Sequence, residues 1–347
     1  MTVQDSVLEA FVKLGKFFKD FCENQNNGQG IWFERLEKTV TECKEQNGWF
    51  TKDNVRFALS EWGKLLSKEQ LQPWLLKYDA TLGTPSKVAI IMAGNIPLVG
   101  FHDFLCVLLT GNSVIAKLSS NDQLLLPFVR DYLIALDPIF EEKIYFEVNQ
   151  LKDYDAVIAT GSNNTGRYFE YYFGKKPHII RKNRSSIAVL KGTESKLELT
   201  KLGRDIFQYF GLGCRNVSKI FVPVGYDLNQ FFEAIFAYAT LIENHKYANN
   251  YDYNKAVYLM GNDTMLDNGF LLLKEDRNNS SPIGTLFYEY YSDLSALKKR
   301  IRSQKNELQC IVSRTVFDDE VGFGETQSPK LDDYADGIDT IVFLQKL

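Results

Sequence analysis

The chain has 347 residues, of which 45% are hydrophobic and 24% charged, with a formal net charge of −4. That is the composition of a soluble globular protein, long enough for two domains. The mildly acidic balance argues against nucleic acid as the main partner, and no apolar run reaches the length of a membrane span.

The five cysteines (22, 43, 106, 214 and 310) form no CxxC pair, and the three histidines (102, 178 and 245) none spaced i, i+4. A disulfide framework and a zinc site are therefore not expected, and no metal is assigned. MTVQDSVLEA lacks the basic start and apolar stretch of a signal peptide, so the cytoplasm is the expected compartment.

In chain order, the first eighty residues read as helices. VLEAFVKLGKFFKDF and WFERLEKTVTECKEQ carry apolar residues at three- and four-residue spacing. Thr51 is placed to cap DNVRFALSEWGKLL, and Ser67 with Gln70 makes a capping box for KEQLQPWLLKY. From residue 87, short apolar runs alternate with helical segments: KVAIIMAGN, FHDFLCVLLTG, SVIAKLS, LLLPFVRDYLIAL, KIYFEV, DAVIAT, GRYFEYYFG and HIIRK. This alternation predicts βαβ units and a parallel sheet covered on both faces, with ligands bound at the carboxyl ends of the strands. Those ends read AGNIP, AKLSS and ATGSNN, small and polar as a dinucleotide pyrophosphate requires.

A second alternating set begins near 186, with SSIAVL, KIFVP, KAVYLM, LFYEYY and LQCIVS read as strands. NDTMLDNG and EDRNNSSPIG read as surface connections, and the tail DYADGIDTIVFLQKL as ending in a lone strand that pairs with one of the sheets. The predicted domains are 1–184 (helices plus nucleotide-binding domain), 185–325 (catalytic domain) and 326–347 (tail strand).

Taken singly, the candidate site residues have ordinary alternatives. GSNNTG (161–166) suits a pyrophosphate at a helix start, or is a plain strand-to-helix turn. Lys117 could reach an adenosine ribose, but an isolated lysine is usually solvated. Asn95 could donate to an oxyanion, or serve as a turn asparagine. Cys214, in FGLGCRN, is either a small packed thiol or a nucleophile on a turn whose glycines admit a substrate carbonyl.

Their order is more telling. AGNIPL, TGNSVIAKLSS, ATGSNNTG and FGLGC resemble, in sequence order, the WNFPL, GNxVxxKPSE, FTGSxxxG and GQxC elements of the aldehyde dehydrogenase superfamily, over about residues 85 to 225. Within it the chain looks most like the acyl-CoA reductases of the LuxC type, a likeness to which FGETQSPKLDDYADGIDTIVFL adds. The resemblance implies an aldehyde dehydrogenase-like α/β fold of two Rossmann-like domains behind an N-terminal helical layer. It implies NAD(P)H-dependent reduction of an acyl-CoA to an aldehyde through an acyl-cysteine. Catalysis would fall to Cys214 and Asn95, and cofactor binding to Gly94, Lys117, Ser119, Thr160, Gly161, Ser162 and Gly166. Coenzyme A is part of the substrate, and either a homo-oligomer or an acyl-transfer partner protein is compatible with the family.

Three departures from the superfamily pattern carry expectations of their own. The glutamate of the ELGGK segment would fall at Ile180 or Arg181, with no acid nearby, which disfavours hydrolysis of the thioester. Ser120 replaces the acid near the adenine ribose, leaning toward NADPH without excluding NADH. Ser281 stands where an E-x-F-G glutamate would contact the nicotinamide ribose. Reduction of an acyl phosphate, a Cys-His hydrolase and a catalytically idle partner protein are the rival readings, and His245 is read as structural in preference to a proton donor.

Overall fold

The computed structural model describes residues 3–23, 30–79 and 84–347. They form two compact units, one running up to Lys182 and taking back Lys330–Leu347, the other Asn183–Pro329.

The first unit opens with four amphipathic helices, α1 (Val3–Cys22), α2 (Ile31–Gln46), α3 (Lys52–Leu65) and α4 (Lys68–Leu75). Thr51 caps α3, accepting from the Asn54 N–H at 3.3 Å. Ser67 precedes α4 without a side-chain cap, because the Gln70 N–H bonds the Ser67 carbonyl instead (3.1 Å). The helices bury phenylalanines against the α/β part: Phe11 lies edge-on to Phe101 and Phe140, and Phe17 stacks on Tyr132 at 4.5 Å. Such aromatic pairs add about 0.5–1.5 kcal/mol each beyond area burial.

The α/β part comprises β1 (Lys87–Ile91), α5 (Phe101–Leu109), β2 (Ser113–Lys117), α6 (Leu125–Leu136), β3 (Ile144–Phe146), β4 (Ala156–Thr160), α7 (Asn163–Phe173) and β5 (His178–Arg181). Its sheet is wholly parallel in the order β3-β2-β1-β4-β5. Strand order therefore reverses at β1, and the loops leaving β1 and β4 diverge at the carboxyl edge, the usual place for a ligand in a doubly wound sheet.

The second unit contains β6 (Ser185–Val189), α8 (Lys196–Phe207), β7 (Val217–Pro223), α9 (Leu228–Ile235), α10 (His245–Met260), β8 (Met265–Asp267), β9 (Leu272–Glu275), β10 (Thr285–Tyr291), α11 (Leu294–Ser303) and β11 (Leu308–Val312). Its sheet runs β11-β6-β7-β10-β9-β8, parallel except for the antiparallel edge strand β8. KAVYLM, expected as a strand, is the last part of α10. Asn244 caps that helix by accepting from the Lys246 and Tyr247 N–H groups. Tyr247, Tyr251, Asn254 and Tyr258 are buried along it at helical spacing. MLD, inside a predicted surface connection, is β8.

The tail corrects a second expectation. The predicted strand is a short helix, α12 (Thr340–Leu344), within the first unit. Asp339 caps it by accepting from the Val342 N–H (3.0 Å), and Thr340, Ile341 and Leu344 are buried on one face. The Trp74 Nε1–H donates to the Tyr334 hydroxyl (3.0 Å), and the Tyr78 hydroxyl donates to Asp339 (2.8 Å). Leu331, Tyr334, Ile341 and Leu344 all belong to the first unit's core.

Candidate functional site

Residues that the sequence assigns to cofactor binding line the carboxyl edge of the first sheet. Gly94 and Asn95 follow β1, and Ser119 follows β2. A Cβ on Gly94 would lie 2.5 Å from the Ser119 Oγ, so only glycine lets these two loops meet. The same pair of loops is fastened by Asp122, whose carboxylate accepts from the Leu98 N–H at 3.0 Å. Leu98 has a φ of 57°, a left-handed conformation that a leucine adopts only under constraint. Burial pushes the Asp122 carboxyl up to about 6, against the opposing pull of hydrogen bonds from the Leu98 and Leu125 N–H groups. Lys117 ends β2 with its ammonium on the Asn149 carbonyl (2.6 Å). Ser120 is exposed on the loop that follows.

Thr160 ends β4, and the Gly161 N–H donates across to the Arg181 carbonyl (3.2 Å). Ser162 caps α7 by accepting from the Thr165 N–H at 3.2 Å, leaving the first-turn N–H groups aimed out of the helix start. Gly166 sits in that turn, where a Cβ would approach the Lys182 side chain to 3.2 Å. A helix N-terminus and glycine-tight loops at a topological switch point suit a pyrophosphate, so these residues fit a dinucleotide.

Arg181, one of the two positions where the superfamily's glutamate would fall, is a core residue of the first unit. It is 5% exposed and forms a two-pronged ion pair with Asp103 of α5, with its Nη2–H also donating to Thr340 Oγ1 (3.0 Å). The carboxylate beside it in space, that of Asp103, lies 78 residues away in sequence and is held by the guanidinium. Arg181 marks a core tie of the first unit.

Cys214 lies in the second unit, on the loop between α8 and β7. Of the five cysteines it alone is exposed. Burial pushes the Cys22 and Cys43 thiols up to about 11 and about 12, and Cys106 well above its ordinary value, so these three stay protonated at neutral pH. The turn before Cys214 is left-handed over three residues, Tyr209 (φ 55°), Phe210 (φ 59°) and Gly211 (φ 78°). Two L-residues in that region cost about 1–2 kcal/mol each. The burial of both aromatic side chains and a network centred on Asn216 offset that strain.

Asn216 accepts from the Gly213 N–H (2.8 Å) and donates to the carbonyls of Asp205 (3.1 Å), Ile206 (3.3 Å) and Gln208 (2.9 Å). The Ser186 hydroxyl donates to the Cys214 carbonyl (2.9 Å) while accepting from the Cys310 N–H (3.0 Å). Cys214 is thus an exposed thiol on a backbone held from several sides. Asn216 and Ser186 escaped the sequence reading. A polar residue two positions past a glycine-flanked cysteine was the available signal. Ser281 is half-buried, its hydroxyl donating to the Thr285 carbonyl (2.7 Å), and His245 is the exposed first residue of α10. Among the described residues, no group of three or more His, Cys, Asp or Glu is arranged to hold a metal ion. No helix among them is long and apolar enough to cross a membrane.

The fold has solved counterparts. Aldehyde dehydrogenase 21 of Physcomitrella patens, in complex with succinate, is 14% identical, with 99% of this chain and 88% of that one aligned at a TM-score of 0.60. The aldehyde dehydrogenase KauB of Pseudomonas aeruginosa is 14% identical over 88% of this chain and 71% of its own, at 0.57. The indole-3-acetaldehyde dehydrogenase AldA of P. syringae, solved with NAD+, is 13% identical over 88% and 71%, at 0.56. At such identities the likeness establishes the fold, which is that of the aldehyde dehydrogenases. No curated protein matches in sequence. The family model for acyl-CoA reductase (LuxC) matches residues 36–244, a span that contains Asn95, the glycine-rich loops of the first unit and Cys214. That model matches more than half of the chain, so the chain belongs to the LuxC acyl-CoA reductase family, built on the fold of the aldehyde dehydrogenases.

Proposed function

We propose that the protein reduces the thioester of an acyl-CoA to an aldehyde, with NAD(P)H as reductant and Cys214 as nucleophile. Family membership makes it an enzyme of the aldehyde dehydrogenase and LuxC type. One observation supports the finer reading: of the five cysteines Cys214 alone is exposed, on the loop that follows a left-handed turn, in the segment FGLGC that resembles the superfamily's GQxC nucleophile loop.

In this reading the Cys214 thiolate attacks the acyl carbonyl carbon. We assign the oxyanion to the Cys214 N–H and, from the resemblance of AGNIPL to WNFPL alone, to the Asn95 side-chain amide, and the bond to coenzyme A breaks with the thiolate as leaving group. A reduced nicotinamide, when bound, supplies the hydride that converts the acyl-cysteine to a hemithioacetal. Collapse of the hemithioacetal releases aldehyde and restores the Cys214 thiolate, and one solvent proton ends on the coenzyme A thiol. Gly94, Lys117, Ser119, Thr160, Gly161, Ser162 and Gly166 are the residues we assign to holding the dinucleotide at the carboxyl edge of the first sheet. NADPH is the preferred form because Ser120 puts no carboxylate near the adenine ribose.

The test is a panel of acyl-CoA chain lengths, with an acyl phosphate as comparison, followed by oxidation of NADPH and of NADH. With nucleotide omitted, mass spectrometry should find the acyl group on Cys214, and Cys214→Ala should abolish both adduct and turnover. Nucleotide oxidation that persists in Cys214→Ala would overturn the assignment.

A further inference from the structure

Both flanks of Cys214 lead back to one buried residue, one to its carboxylate and the other to its main-chain carbonyl. Asp205, on the last turn of α8, is fully buried at 0% exposure. Its Oδ2 accepts from the Gly324 N–H (2.6 Å), and its Oδ1 accepts from both the Thr326 N–H (3.0 Å) and the Thr326 hydroxyl (2.9 Å). The Thr326 held in this way receives the Arg215 Nε–H on its carbonyl at 2.6 Å. On the other flank, Gly213 is bonded to Asn216, and Asn216 donates to the Asp205 main-chain carbonyl. Cys214 is therefore a member of a closed ring of covalent and hydrogen bonds running Asp205, Thr326, Arg215, Cys214, Gly213, Asn216 and back to Asp205.

Burying a carboxylate is costly, and simple packing at this position would be served by a neutral residue. The donor pattern explains the acid. All three partners bring hydrogens, and only an ionised carboxylate accepts them at both oxygens. An asparagine would turn an NH2 toward a backbone N–H, donor against donor.

We propose that Asp205 is a positioning residue for the nucleophile: by pinning Gly324 and Thr326 it fixes Arg215, and with it the direction in which Cys214 presents its thiol. This rests on the reading of Cys214 as nucleophile. Segment 322–327 (GFGETQ) is then a strap that serves the cysteine loop, which gives that stretch of sequence a task the nucleotide and acyl sites leave unassigned.

The experiment compares Asp205→Asn and Thr326→Val with the wild-type protein. Two readouts are taken on folded protein: kcat and KM with an acyl-CoA, and the rate of Cys214 alkylation by iodoacetamide, followed by mass spectrometry of its peptide. Misplacing a reacting group by about 1 Å costs up to about 100-fold. Asp205→Asn should therefore lower kcat by about 10- to 100-fold while KM stays within about threefold, with a matching change in alkylation rate. Thr326→Val, which removes a single hydroxyl donor, should move both readouts the same way by a smaller factor, and it decides the matter if Asp205→Asn fails to fold. Wild-type kcat and alkylation rate in the folded variants, with Cys214→Ser inactive, would overturn the role of Asp205 alone. A Cys214→Ser protein with full activity would overturn the nucleophile reading and this inference together.

Discussion

Asn216 shows how much of a reactive loop can depend on one amide. Its NH2 reaches three carbonyls and its oxygen caps the Gly213 N–H. Asn216→Ala would leave buried carbonyls without a donor, at a cost of about 1–3 kcal/mol for the unsatisfied groups. We expect urea unfolding to show a loss in that range, together with faster, less selective alkylation across the 208–216 loop. Asp122 gives a residue-level prediction with a definite sign. Its carboxyl stands at about 6 in the folded chain against an ordinary 3.8. The folded state therefore binds the proton more tightly, and the stability Asp122 contributes falls as pH rises through that window. On going from pH 7.5 to pH 4, the wild-type protein should gain on an Asp122→Asn variant by on the order of 2 kcal/mol in unfolding free energy. A difference independent of pH would show that the carboxyl is not held as described.

At the level of elements, periodicity was a good guide wherever it ran long. The parallel alternation from β1 to β5 and the helices α1 to α4 were legible because each apolar stripe repeats over several turns or follows strand spacing. KAVYLM and DTIVFL misled because a mostly apolar window of six residues fits either a strand or a helix. The deciding features lie outside such windows, in the Asn244 cap and the Tyr247–Tyr258 spacing of α10 and in the Asp339 cap of α12. Of the candidate site, the tight turns at GSNNTG and FGLGC were legible because their glycines mark them. The site was not legible where a distant polar group does the holding. Nothing adjacent in sequence links Asp122 to Leu98, Asp205 to Thr326, or Arg181 to Asp103 and Thr340. The last of these joins α5, β5 and α12, so Arg181→Met should cost about 3–5 kcal/mol by stranding Asp103 in the core. The double replacement Asp103→Leu with Arg181→Met should recover much of the loss in thermal unfolding, and failure to recover it would argue that the pair has a task beyond holding the core.

For the whole molecule, a ligand that binds only the folded chain stabilises it by mass action. NADPH at about a hundred times its dissociation constant should add about 2.7 kcal/mol, read as a rise in Tm, and NADH at the same concentration should add less. Equal shifts for the two nucleotides would remove the argument from Ser120. The return of Lys330–Leu347 to the first unit has a consequence for how the protein is made. The second unit, Asn183–Pro329, is contiguous in the chain and is complete before the ribosome reaches Lys330. The first unit begins earlier and finishes later, because Leu331, Tyr334, Ile341 and Leu344 are part of its core. During synthesis the surface around Trp74, His102 and Arg181 must therefore wait, uncovered, until Lys330–Leu347 emerges. A stalled or prematurely stopped chain would carry a finished second unit and an open first one, a species suited to capture by a chaperone or a protease.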